Sequence, residues 1–122
     1  MARFTPEELH DALRPIASLL SKSEKAQQKL KPGTWQHTML RDNVRALSLA
    51  AALMSDAAGR QPSPAAQDDL KQALDALASM ISRTEKSQAK FSPGTSQHSL
   101  QRNRLKALRI AQALVKTRLD HA

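Results

Sequence analysis

The chain has 122 residues and no cysteine, which excludes disulfides, thiolate metal sites and thiol catalysis. Two Phe, one Trp and no Tyr, set against abundant Ala, Leu, Lys, Gln and Ser, exclude a β fold and favour helix. The net charge of +8 favours anionic partners. No apolar run approaches the roughly 18 residues of a membrane span, and the first residues carry no apolar signal core. The expectation is a soluble cytoplasmic protein with no membrane role.

The first helix is predicted over about 6–30. Thr5 is its N-cap, Pro6 its first residue, and Glu8 closes a capping box. Leu9, Leu13, Ile16 and Leu20 follow as an apolar stripe. Pro15 lies inside the pattern and predicts a kink. Pro32 and Gly33 stop this helix, and Thr34 caps a second one over about 35–57. Its seam is Leu40, Val44, Leu47, Ala51 and Met54, widened by Leu49 and Leu53. Gly59 ends it, and 60–63 is a linker. Ser63 and Pro64 open a third helix over about 64–91, with Leu70, Leu74, Leu77 and Ile81 as its stripe. The loop from Ser92 to Thr95 leads to a fourth helix over about 96–119. That helix carries Leu105, Leu108, Ala111 and Val115, with Leu100, Ile110, Leu114 and Leu119 adding apolar area.

The two halves repeat each other. A shift of 61 residues lays 9–53 on 70–114 without a gap, with 21 identities in 45 positions, where chance gives roughly three. The densest agreement is polar: Glu24, Lys25, Gln27, Lys29, Pro32, Gly33, Thr34, Gln36 and His37 recur as Glu85, Lys86, Gln88, Lys90, Pro93, Gly94, Thr95, Gln97 and His98. Repeat 1 spans 5–59 and repeat 2 spans 64–119. About 60 residues is marginal for an independent core, so the halves are expected to share one. The prediction is an all-α single domain over 1–122: two helical hairpins in an up-down-up-down four-helix bundle. The rival is a side-by-side repeat pair that dimerises through the wide apolar faces of the second and fourth helices.

Alternate loops of such a bundle share an end, so both Pro-Gly-Thr loops should form one tip, with the termini and linker at the other. Segments 21–45 and 82–106 hold 12 of the 19 basic residues against Glu24, Asp42 and Glu85, a balance of +9, while the remainder is −1. The candidate anion-binding residues are Lys25, Lys29, Lys31, Arg41, Arg45, Lys86, Lys90, Arg102, Arg104 and Lys106. Cations at the ends of the first and third helices suit the helix dipole. Arg41, Arg45, Arg102, Arg104 and Lys106 lie early in the following helices, where the dipole disfavours them. Helix N-termini are themselves anion sites.

Extended to the tip, the apolar stripes reach Glu24, Gln27 and His37 in one repeat and Glu85, Gln88 and His98 in the other. Antiparallel pairing predicts a tip network: Gln27 near His37, Glu24 near Arg41, Gln88 near His98 and Glu85 near Arg102, with Thr34, Gln36, Thr95 and Gln97 beside them. Trp35, at the start of the second helix, either covers the loop as a lid, the favoured reading, or stacks on a base. Ser96 replaces it in the second repeat.

No metal site is expected, because neither repeat has the Glu/His or His/His spacing that helices use. No Gly-rich phosphate loop, nucleophile elbow or zinc-protease motif is present, so no enzyme activity and no cofactor are expected. The function that follows is non-enzymatic: a small helical protein whose basic loop end engages an anionic partner, DNA or RNA first, without strong sequence specificity. The alternative is an interaction or scaffold module with a homodimer or acidic protein partner and no nucleic-acid role.

Overall fold

The structure, a computed structural model, describes residues 4–56 and 67–120. It contains four helices: α1 (Pro6–Gln28), α2 (Trp35–Asp56), α3 (Gln67–Ala89) and α4 (Ser96–Asp120). No strand occurs among the described residues. The predicted stop at Gly59, the linker 60–63 and the start at Ser63 and Pro64 lie outside them.

The helix starts form as the residue types dictate. The Glu8 amide donates to Thr5 Oγ1 at 3.1 Å and the Thr5 amide to Glu8 Oε1 at 3.1 Å, a closed capping box with Pro6 behind it. Helix α1 runs unbroken through Pro15.

The two hairpin loops are built alike. Gly33 and Gly94 adopt φ of +94° and +89°, the left-handed region that L side chains avoid. The following threonines clamp the turn from both sides. Thr34 Oγ1 donates to the Lys31 carbonyl at 3.0 Å and accepts from the His37 amide at 3.2 Å. Thr95 Oγ1 donates to the Ser92 carbonyl at 2.8 Å and accepts from the His98 amide at 3.2 Å. The shared Pro-Gly-Thr therefore has a structural cause: glycine supplies the backbone angle and threonine satisfies an orphan amide of the next helix.

Packing places α2 and α4 on the short diagonal of the bundle. Each hairpin packs along its own length; α2 meets α3, α1 meets α4, and α2 also touches α4, whereas α1 and α3 do not meet. So α2 and α4 each pack on three helices, and α1 and α3 on two. This explains the wider apolar faces of α2 and α4: Leu53, Ile110 and Val115 are buried, and Leu49, Leu114 and Leu119 pack against the core of the same chain. Leu100, part of the same apolar area on α4, stays 45% exposed.

The diagonal also rotates the seam. The buried set on α2 is Asn43, Ala46, Leu47, Ala50, Leu53 and Met54, while Leu40, Val44 and Ala51 are only half-buried. On α1 and α3 the buried alanines Ala12 and Ala73 join Leu9, Ile16, Leu70 and Leu77, displacing Leu13 and Leu74 to the margin. Small residues go where helices approach closely; larger ones fill the flanks.

Candidate functional site

The loop end is open and basic. Lys22, Lys25, Lys29, Lys31, Arg41, Arg45, Arg83, Lys86, Lys90, Arg102 and Lys106 are all exposed, and only Arg104 is half-buried. Among the described residues the one ion pair within this set joins Arg41 to its neighbour Asp42 at 3.8 Å. At that length, and with both side chains nearly half exposed, it neutralises little. Gln36, Gln97, Glu24, Thr34 and Thr95 are exposed as well.

The expected pairs across the hairpins do not form. Gln27, His37, Gln88 and His98 are half-buried, but no hydrogen bond links Gln27 to His37 or Gln88 to His98 among the described residues. Arg41 turns to Asp42 rather than Glu24. Glu85 accepts from Arg109 Nη2 at 3.3 Å rather than from Arg102. On the first hairpin the shifted α2 seam is the reason. Run toward the tip from Leu47, the buried line passes through Asn43 and not Val44, so side chains extrapolated from Val44 point away from the pairings assigned to them.

Two residues outside the predicted tip network share one repeat position: Asn43, and Arg104 of the candidate anion-binding set. Asn43 is the one polar residue in the buried set. Its repeat counterpart is Arg104, whose Nε is buried without a hydrogen-bond partner. Their shared position, 61 apart, was the available signal for burial, but Arg104 reads as one more exposed cation and Asn43 as a surface residue.

The start of α1 is not remote from the second loop. Phe4 and Glu8 line one hollow with Gln88, Arg102 and Arg109. A second hollow, of about 550 Å³, lies between α1 and α4 and gathers Glu8, Asp11 and Arg14 with Leu100, Arg104 and Lys106. Between α2 and α3, Arg45 shares a hollow with Asp42 and Asp69. Acidic groups therefore share these hollows with Arg45, Arg102, Arg104 and Lys106, without an ion pair to any of the four among the described residues. Lys22, Lys25, Lys29 and Lys31 at the end of α1, and Arg83, Lys86 and Lys90 at the end of α3, line none of these three hollows and form no ion pair among the described residues.

Trp35 is not a lid. It is 70% exposed at the first turn of α2. No group of three or more His, Cys, Asp or Glu side chains able to hold a metal occurs among the described residues, and no described helix is long and apolar enough to cross a membrane. No protein family, curated protein or solved structure is significantly similar to this chain. The chemistry of the site is read from its own residues.

Proposed function

We propose that the protein is a non-enzymatic binding protein whose loop end engages nucleic acid through its phosphates, without strong sequence preference. The observation that carries this reading is the set of exposed, unpaired cations at the ends of α1 and α3. A cation with no internal carboxylate keeps its charge available for a phosphate, and releasing condensed counterions drives the contact. Several such cations on two hairpins that share one core are held at fixed spacing, which suits a polyanion better than a single small anion.

The test is charge reversal at exposed positions only. A variant carrying Lys25→Glu, Lys29→Glu, Lys86→Glu and Lys90→Glu is expected to lose affinity for DNA and RNA in a gel shift while keeping its helical circular dichroism. Unchanged affinity would remove the loop end as the site. Arg104 is unsuitable for this purpose because its Nε is buried.

One observation favours a second reading. Leu100 is 45% exposed and lines the α1–α4 hollow beside Arg104 and Lys106. A hollow of that kind, with Glu8 and Asp11 facing the same space as Arg14, Arg104 and Lys106, suits a protein segment of mixed charge. Under this reading nucleic-acid affinity at physiological salt is negligible, and Leu100→Lys abolishes the protein contact.

A further inference from the structure

We infer that the loop end carries a single-strand track on one side only, with Trp35 stacking a base and Arg83, Lys86 and Lys90 holding the adjoining phosphates; this rests on the nucleic-acid reading above. The two hairpins meet where Arg83 Nη1 donates to Met39 Sδ at 3.1 Å. Trp35 lies one turn before Met39 on the same side of α2. Helix α3 runs antiparallel to α2 here, so one turn beyond Arg83 toward its end lies Lys86, and Lys90 follows. Arg83 and Lys86, at i and i+3 on α3, and Lys90, in the turn just past its end, lead from the Met39 contact toward the loop. All three are exposed, and so is the indole.

An indole left 70% in water at the edge of a well-filled core is apolar surface that folding does not use. The indole is open to solvent, and one turn along α2 the cation Arg83 reaches Met39. A base within a duplex is stacked on both sides and cannot reach it; an unpaired base can. The repeat supplies an internal control. The equivalent positions on α1 and α4 are Lys22, Lys25 and Lys29, with Ser96 in place of Trp35 and Leu100 in place of Met39. That side has the same three cations without the aromatic, so it attracts phosphate but cannot stack. The two sides thus separate charge from stacking within one molecule.

The test measures binding of fluorescently labelled oligothymidylate and of a blunt duplex of equal length, by anisotropy, to the full chain and its variants. The expected result is that Trp35→Ala weakens single-strand binding by about 5- to 150-fold, the range for losing one stacked base. Duplex binding stays unchanged, and Trp35→Phe recovers part of the loss. Arg83→Glu with Lys86→Glu is expected to weaken single-strand binding more than the equivalent Lys22→Glu with Lys25→Glu. Ser96→Trp should tighten it. If Trp35→Ala binds single strands as the parent does while the four-lysine reversal still abolishes binding, the stacking track is wrong and the phosphate reading stands. If the parent binds neither strand form, the phosphate reading fails and this inference falls with it.

Discussion

Replacing Ala50 by Leu tests the diagonal contact that organises the bundle. Ala50 is fully buried, as is its repeat counterpart Ala111, and α2 touches α4 across the diagonal while α1 and α3 do not meet. If the helices approach through these alanines, three added carbons have no space and must push α2 off α4. Overpacking of this kind costs about 1–3 kcal/mol. For a chain of this size each kcal/mol lowers Tm by about 4 °C, so the melting temperature should fall by roughly 4–12 °C. Ala52, two residues along the same helix, is exposed, and Leu there is expected to change stability by under about 0.5 kcal/mol. Thermal melts followed by circular dichroism compare the two. An Ala50→Leu protein as stable as the Ala52→Leu protein would refute the close diagonal and, with it, the explanation for the wide apolar faces of α2 and α4.

Other outcomes follow from particular contacts. Gly33→Ala should cost about 1–2 kcal/mol in denaturant melts, wholly from backbone strain, because a methyl group there meets nothing within 4 Å; Gly94→Ala should cost the same. Thr34→Ala removes the hydroxyl that caps α2 and should lower stability by about 1 kcal/mol, with faster amide exchange at His37. Arg104→Met removes a buried donor that lacks a partner, so stability is expected to hold or rise by up to about 1 kcal/mol; a loss above 2 kcal/mol would show that the guanidinium is better satisfied than its geometry indicates. Gln27→Leu should move stability by less than about 0.5 kcal/mol, since it breaks no side-chain bond across the hairpin.

Sequence reading was strongest where a local rule acts alone. The capping box at Thr5 and Glu8, the glycine angles at Gly33 and Gly94, and the threonine caps at Thr34 and Thr95 each depend on a few adjacent residues, and each formed. The four helices and their antiparallel order followed from apolar spacing and short loops. Phase was the weak point. Apolar spacing put the α2 seam on Leu40, Val44, Leu47, Ala51 and Met54; Leu47 and Met54 are buried, whereas Leu40, Val44 and Ala51 are half-buried and Ala46 and Ala50 are buried instead. Alanine is as suited to an exposed helical position as to a tight contact, so its burial is decided by which helices share a diagonal, a property of the assembled bundle. The shifted phase of α2 explains why the burial of Asn43 was not legible; Glu85 meets Arg109 instead of Arg102 on the other hairpin, where Leu105, Leu108, Ala111 and Val115 are buried as expected. The basic end was visible as composition, but which cations lack an acidic neighbour depends on contacts between hairpins, such as Asp69 beside Arg45.

The central claim is that exposed loop-end cations bind nucleic-acid phosphate, and its most direct test is the salt dependence of affinity. Anisotropy titrations of a labelled single strand at several salt concentrations give the slope of log K against log salt. Four engaged cations predict a slope of about −3, reduced toward zero in the four-lysine reversal. Binding that ignores salt, or whose slope the reversal leaves untouched, would contradict the account.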